Sequence, residues 1–311
     1  MATFVVIGSL VLSSFGQNKL RAQMDFDGDH KADFAVFRSS DSVWYINNSG
    51  GGYAFQQWGQ GNTDFMTPGD YDGDGKADVA VWRDTNGVFY WINSSNNTVG
   101  AIQWGVTNDE PVARDYDGDG KTDPAVVRRT NGSLIWYVFR SSDQSFSAVQ
   151  WGTSSDFVVP GDFDGDGKFD YAIQRPGATP TSAATFWILR SSDLGYSAVQ
   201  WGYTNDIVVP GDYDGDGKTD IAVVREGALP TDNMIWYVLK SSDLTLLAGA
   251  FGITGLDFTA QNDYDGDGKC DVTIWRESTG DFWTLQSSDA VLAAFHWGGP
   301  GDFPVASYDQ H

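Results

Sequence analysis

The sequence predicts an all-β protein, a β-propeller of four-stranded blades, and three observations support this fold class. An acidic nine-residue motif, DYDGDGKTD in its fifth copy, occurs six times, beginning at residues 25, 70, 115, 162, 212 and 263. Each interval of 45–51 residues holds four short apolar or aromatic runs, and none of these runs has helical periodicity. Repeats of about 40–50 residues with four strands are typical of propeller blades, whereas the coils of a β-solenoid, the main alternative, are much shorter.

The four strands of a blade follow a fixed order, which the fifth repeat illustrates. The run DIVVPGD (206–212) leads into the motif, and the alternating run IAVVR (221–225) follows it and ends in arginine. After a turn comes the aromatic run IWYV (235–238), and a last run ends in Phe-Gly. We expect the in-phase Trp and Tyr side chains to pack between blades. A Trp-Gly or Phe-Gly pair closes every repeat: Trp58-Gly59, Trp104-Gly105, Trp151-Gly152, Trp201-Gly202, Phe251-Gly252 and Trp297-Gly298.

The repeats predict a single domain spanning 1–311, with an incomplete seventh blade built from 1–16 and 302–311. FPVAS (303–307) has the pattern of an innermost strand, and apolar runs within 4–16 match the last two strands of a blade. The N-terminal segment also resembles a signal peptide, but it lacks a basic beginning, so we interpret it as strands. The six complete blades are expected at about 20–59, 64–105, 109–152, 156–202, 206–252 and 257–298.

An incomplete blade would expose unpaired strand edges, which are templates for pairing with another chain. The seventh blade could close within its own chain or with a neighbouring copy. The sequence therefore predicts self-association, with filaments as its extended form.

The acidic motif has the spacing of a calcium-binding loop. Aspartates stand at positions 1, 3, 5 and 9, glycine stands at position 6 in five of the six copies, and position 7 would contribute its backbone carbonyl. Without a cation, four neighbouring carboxylates would repel one another. We therefore predict about six Ca²⁺ sites rather than solvated acidic turns. The ligands, with lysine acting through its carbonyl, are Asp25, Asp27, Asp29, Lys31 and Asp33; Asp70, Asp72, Asp74, Lys76 and Asp78; Asp115, Asp117, Asp119, Lys121 and Asp123; Asp162, Asp164, Asp166, Lys168 and Asp170; Asp212, Asp214, Asp216, Lys218 and Asp220; and Asp263, Asp265, Asp267, Lys269 and Asp271.

These loops differ from EF-hands in two respects. Position 12, where an EF-hand places a bidentate glutamate, is apolar in this chain, as at Val81 and Val223. The flanking segments are predicted strands rather than helices, so the aspartate at position 9 is the expected bidentate ligand. The first loop should be the weakest, because His30 replaces glycine at a position that favours a left-handed backbone.

The amino-acid composition limits the kinds of partner that the protein is expected to bind. Forty-two acidic residues against 19 basic ones give a net charge of −23, which disfavours nucleic acid and anionic membranes. Six Ca²⁺ ions would reduce this charge to −11, the sum of −23 and +12. The single cysteine, Cys270, excludes an intrachain disulfide framework, and no segment is long and apolar enough to span a membrane.

The motif D-x-D-G-D-G-x-x-D, followed by an alternating strand and a closing W/F-G, resembles the FG-GAP/VCBS-type repeats of calcium-binding β-propellers, including those of integrin α-subunits. The resemblance covers nearly the whole chain. It implies that the calcium loop joins the innermost strand of a blade to the second strand, usually in a seven-bladed ring. It also implies a secreted or surface location and a role in adhesion, or in carbohydrate or protein recognition.

Three functions remain open on the sequence. The favoured one is a non-catalytic extracellular module for adhesion or structure, with self-association or another extracellular protein as partner. The second is a lectin, in which arginines at the ends of the second strands would line glycan pockets, unless aspartates neutralise them. An enzyme is the least favoured, because no nucleophile–histidine pair or nucleotide loop is evident. The arginines in question are Arg38, Arg83, Arg128, Arg175, Arg225 and Arg276.

Overall fold

The computed structural model describes residues 24–61 and 63–306, and these residues form strands and turns without helices. No described helix is therefore long and apolar enough to cross a membrane. The strands, in chain order, are β1 (Phe34–Arg38), β2 (Val43–Asn47), β3 (Tyr53–Gln57), β4 (Asp64–Met66), β5 (Val79–Arg83), β6 (Val88–Ile92), β7 (Val99–Gln103), β8 (Glu110–Pro111), β9 (Ala125–Thr130), β10 (Ser133–Phe139), β11 (Phe146–Thr153), β12 (Phe157–Val158), β13 (Tyr171–Arg175), β14 (Ala183–Leu189), β15 (Tyr196–Tyr203), β16 (Ile207–Val208), β17 (Ile221–Arg225), β18 (Asn233–Leu239), β19 (Leu246–Ile253), β20 (Asp257–Thr259), β21 (Val272–Arg276), β22 (Asp281–Leu285), β23 (Leu292–His296) and β24 (Asp302–Pro304).

The strands form six antiparallel four-stranded sheets, and each sheet is one blade of a β-propeller. Blades two to six run from innermost to outermost strand in chain order, as β4–β7, β8–β11, β12–β15, β16–β19 and β20–β23. The predicted fold class is therefore confirmed. The acidic motif lies between the first and second strands of a blade, where an isolated bridge such as Gly211 to Asp220 closes the loop.

The first blade takes its innermost strand from the C-terminus, in the order β24-β1-β2-β3. Arg38 lies opposite Asp302, Val36 lies opposite Pro304, and the Val305 N–H donates to the Ala35 carbonyl at 2.9 Å. The strand predicted at 303–307 is thus present in part, as Asp302–Pro304, and its partner is β1. The N-terminal runs assigned to the same incomplete blade lie outside the described residues.

The hydrophobic core is divided among the junctions between blades. At the junction of blades three and four, for example, Trp136 and Leu134 pack against Tyr171 and Ile173. The tryptophan of a closing Trp-Gly pair also donates its indole N–H to a carbonyl of the next blade. The predicted role of the aromatic residues in packing between blades is confirmed by these bonds: Trp58 to Tyr90, Trp104 to Tyr137, Trp151 to Trp187, Trp201 to Tyr237 and Trp297 to Tyr45.

Candidate metal loops and blade junctions

The aspartate at position 1 organises each acidic loop through backbone donors. In the fifth loop, the Asp212 carboxylate accepts the N–H groups of Gly215 at 2.6 Å and Gly217 at 2.9 Å. Both glycines have left-handed backbones, with φ of 81° and 85°. His30, which replaces the second of them in the first loop, has φ of 69°. The first loop thus keeps the same turn with a residue for which this conformation is unfavourable.

The aspartate at position 9 is buried at the base of every loop. The Asp220 carboxylate has no solvent exposure and accepts the N–H groups of Tyr213 at 2.8 Å and Ser241 at 2.6 Å. Burial raises the pKa of the Asp220 carboxyl to about 7. It has the same effect at the other five loops, where the pKa rises to about 7 for Asp123 and Asp170 and to about 6 for Asp33, Asp78 and Asp271.

A serine turn after the third strand completes each loop, and sequence reasoning missed it. Ser241 donates its hydroxyl to Asp216 at 2.9 Å, and Ser242 donates to Asp214 at 2.6 Å. The turn thereby fixes the carboxylates at positions 3 and 5. A recurring Ser-Ser pair was visible in the sequence at 94–95, 141–142, 191–192, 241–242 and 287–288, with Ser49-Gly50 in the first repeat.

The donor set fits a hard divalent cation. In the fifth loop, one carboxylate oxygen each from Asp212, Asp214 and Asp220 lies within 4.8 Å of the others. The second, third and fourth loops bring together the same three positions, whereas the first brings together Asp25, Asp27 and Asp29. Clustered carboxylate oxygens are the ligands that Ca²⁺ prefers. The lysine at position 7 uses its N–H within the loop, as Lys218 does toward Asp216, and the predicted role of its carbonyl stays a prediction.

Neighbouring loops are also bonded to one another, which sequence reasoning did not anticipate. The N–H at position 8 of each loop donates to the position-1 carbonyl of the preceding loop at 2.6–2.8 Å. The side chain at position 7 lies across the preceding loop, so a Cβ added to Gly215 would stand 3.0 Å from the Lys269 Cε. The bonds run around the whole propeller: Ala77 to Asp25, Thr122 to Asp70, Phe169 to Asp115, Thr219 to Asp162, Cys270 to Asp212 and Ala32 to Asp263.

The six arginines at the ends of the second strands are all ion-paired with aspartates. Arg128, for example, donates Nε and Nη2 to Asp109 at 2.7 Å, and this carboxylate is almost fully buried and also accepts the Val106 N–H. These pairs fasten the start of each innermost strand to the end of the second strand. The pairs are Arg38–Asp302, Arg83–Asp64, Arg128–Asp109, Arg175–Asp156, Arg225–Asp206 and Arg276–Asp257.

The comparison with protein families agrees with this architecture. The model of the FG-GAP-like repeat matches residues 25–81, 70–126 and 115–173, and each match begins at an acidic loop and ends in the next second strand. The remaining blades carry the same loop at the same place. The described residues therefore form a six-bladed β-propeller, and three of its repeats match the FG-GAP-like family. No protein of curated function matches the sequence.

Solved structures with a similar fold have low sequence identity. AofleA from Arthrobotrys oligospora is 11% identical with a TM-score of 0.52, and the match covers 94% of this chain and 90% of that one. TolB from Acinetobacter baumannii is 12% identical with a TM-score of 0.57, covering 88% of this chain and 66% of that one. At these identities the similarity establishes the propeller fold alone.

Proposed function

We propose that this protein is a non-catalytic recognition scaffold, secreted or held at a cell surface, whose acidic loops bind Ca²⁺. The convergence of three carboxylates in a loop whose deepest aspartate is fully buried is the observation that carries the proposal. Burying an anion is costly without a compensating charge, and a bound cation would supply that charge. The ligands would be the aspartates at positions 1, 3, 5 and 9 with the position-7 carbonyl.

Calcium would stabilise the propeller because it would bind the folded state and not the unfolded one. If each of six sites were filled at ten times its dissociation constant, binding would contribute about 1.4 kcal/mol per site, or about 8 kcal/mol in all. This sum is comparable to the total stability of a typical domain. The chain itself holds the carboxylates in place. Glycine N–H groups bind the aspartate at position 1, and the serine turn binds the aspartates at positions 3 and 5.

Two of the three histidines, His30 and His296, lie in the described part of the chain. His30 lies in the first loop, and His296 is exposed beside Asp281, with 2.9 Å between Nδ1 and the carboxylate. Neither of these two histidines is hydrogen-bonded to a serine, threonine or cysteine side chain. A scaffold of repeated loops and strands fits adhesion or extracellular structure better than chemistry at one centre.

The calcium proposal is tested by metal analysis and unfolding of the full chain. Dialysis against trace Ca²⁺ should leave about six bound ions per chain, and chelation should lower the melting temperature. Asp220→Asn should remove one ion, whereas Asp193→Asn, on an exposed turn outside the loops, should remove none. A chain that retains no Ca²⁺ and melts identically with and without chelator would refute the proposal.

Self-association is the assembly that we propose for this scaffold. β24 pairs with β1 and completes the first blade. The strand edges that could support self-association are therefore those of the outermost strands. β19 is the most favourable edge, since it is the outermost strand in which no residue has a polar side chain, and Leu246 and Leu247 are exposed. Light scattering should show concentration-dependent association that Leu247→Lys abolishes and Ser147→Lys, on the outermost strand β11, does not. A monomer at every concentration would contradict the proposal.

Carbohydrate binding is a second candidate function, favoured by the junction of blades three and four. A cavity of about 220 Å³ between blades three and four is lined by Trp151, Trp187, Tyr196 and Arg175. The indole N–H of Trp187 is buried without a partner, and the bonds from Arg175 to Asp156 leave its Nη1 available. Aromatic walls with unused donors suit the apolar face and hydroxyl groups of a neutral sugar.

A glycan array on the full chain tests this second function. Binding of a neutral glycan should be weakened by Trp187→Phe, which removes the indole N–H. Trp283→Phe is the matched control, because Trp283 has the same place in the last blade and also a buried indole N–H without a partner. An array without binding, or equal losses in both variants, would remove the lectin assignment at this junction.

A further inference from the structure

A larger cavity of about 890 Å³ lies in the central channel, between the innermost strands. Its wall is mainly apolar and includes Met66, Val112, Val158 and Val208. Channel and cavity are separate from the acidic loops and from the junction of blades three and four. The residues that line the cavity come mostly from blades two to five, so it is not symmetric about the propeller axis.

Gln174 is the residue that departs most from the repeat in this wall. It directly precedes the arginine of the second strand. The same position is held by Trp82 in blade two and by Trp275 in blade six. Both of those residues are fully buried and donate their indole N–H groups to the carbonyls of Trp104 and Trp297. In blades one, three and five, a tryptophan of the third strand makes the corresponding bond: Trp44, Trp136 and Trp236.

The fourth blade has neither of these tryptophans. The Gln174 side chain is fully buried, and neither its amide nitrogen nor its amide oxygen has a hydrogen-bond partner in the described part of the chain. The Thr67 hydroxyl, which lines the same cavity, is buried without a partner as well. Buried polar groups without partners cost stability and are rare in native proteins, and violations of packing rules concentrate at functional sites.

The remaining lining adds aromatic surface and negative charge. Phe157, opposite Gln174 in the sheet, is 51% exposed, and Phe65 occupies the same position in blade two. The carboxylate of Glu110 is paired with Arg129 at 2.8 Å, whereas Glu226 makes no ion pair with a described residue. The lining holds five acidic side chains against two basic ones, Arg114 and Arg129, and the chain keeps a charge of −11 even with six Ca²⁺ bound. This balance favours a cationic ligand and disfavours an anion.

We propose that the central channel binds a short apolar peptide or amino-acid amide with a free amino group. The Gln174 side chain would turn toward the channel, and the amide of the ligand would then satisfy its nitrogen and oxygen, since an amide offers both a donor and an acceptor. Its apolar side chain would lie against Phe157, and its ammonium group would face Glu226. This site is independent of the calcium loops and of the sugar-binding candidate.

The test is titration of the full chain with L-phenylalaninamide, followed by calorimetry and by saturation-transfer NMR. The expected result is one site per chain, weakened about tenfold by Gln174→Leu, which corresponds to a loss of about 1.4 kcal/mol. The matched control is Gln150→Leu on the outermost strand β11, which should leave binding unchanged. 3-Phenylpropionate, which has the same phenyl group and an anionic end, should bind at least tenfold more weakly.

The Gln174→Leu variant also separates binding from folding, because it removes a buried amide without partners and should melt at a higher temperature than the natural chain. Loss of binding in a more stable variant supports the site. Three results would overturn it: no binding of phenylalaninamide to the natural chain, equal binding by Gln174→Leu, or tighter binding of 3-phenylpropionate.

Discussion

Closure of the propeller between its first and last blades depends on a three-residue strand, and Asp302→Ala tests this dependence. The Asp302 carboxylate is fully buried and accepts bonds from Arg38 Nε at 2.6 Å, Arg38 Nη2 at 2.9 Å and the Gly299 N–H at 3.0 Å. Breaking a buried pair costs about 3–5 kcal/mol. Because the Arg38 side chain is 36% exposed and can be rehydrated, we expect about 2–3 kcal/mol for this pair.

A second contribution arises if β24 then separates from β1. Val305 is only 2% exposed, and burial of a valine side chain contributes about 1.5–3 kcal/mol. The matched control is Asp109→Ala. Its pair with Arg128 has the same geometry but joins strands of one continuous blade. Asp302→Ala should therefore lose about 2 kcal/mol more than Asp109→Ala.

Denaturant unfolding measures both losses, and hydrogen exchange locates the difference. In Asp302→Ala, the amides of 302–306 and of β1 should exchange faster while the third blade stays protected. Asp109→Ala should not change exchange at the C-terminus. Equal losses of stability in the two variants, with unchanged exchange at 302–306, would show that β24 is not the closing element.

Four further predictions concern the core and the loops. Gln174→Leu should raise the free energy of unfolding by about 1–3 kcal/mol in denaturant titrations, and a destabilised variant would mean that the amide is satisfied in solution. Without metal, the raised pKa of Asp220, about 7, means that the folded state holds more protons than the unfolded state between its ordinary pKa and pH 7. Stability in chelator should therefore fall from pH 5 to pH 8, and a rise would refute the argument. Ser241→Ala should weaken calcium binding in calorimetry at one site of six. Lys269→Ala should reduce any cooperativity between successive calcium-binding events, and an unchanged Hill coefficient would show that adjacent loops act independently.

The sequence predicted the blades well because the repeat presents the same strand pattern six times. Alternation before Arg225 and the closing Phe251-Gly252 each recur in phase, so errors in one copy are corrected by the others. Pairing partners are harder to derive, because strand pairing is non-local. The strand at 302–304 was recognised, but its pairing with β1 depends on closure of the propeller across the full chain length.

In the acidic loops, too, local features could be predicted from the sequence and long-range contacts could not. Four aspartates at fixed spacing identified the candidate ligands, because the spacing is a property of nine consecutive residues. The Ser241 hydroxyl reaches Asp216 from 25 residues away, and Cys270 N–H reaches the Asp212 carbonyl of another blade. Such contacts follow from how blades stack, so the sequence alone offered only the recurrence of Ser-Ser pairs as a clue.

A repeated chain offers its own comparison for locating function. Positions that serve the fold are the same in every blade, as the six Arg–Asp pairs show. Positions that break the pattern need another explanation, and two of them fall in blades three and four: Glu110, where the other blades have Phe or Ile, and Gln174. Glu110 and Gln174 line the central channel, and Trp187 lines the junction cavity. If recognition has been built into one sector of an otherwise uniform scaffold, replacing Gln174 by an apolar residue should strengthen the fold and abolish binding in the central channel. A scaffold without such a sector would gain stability and lose nothing.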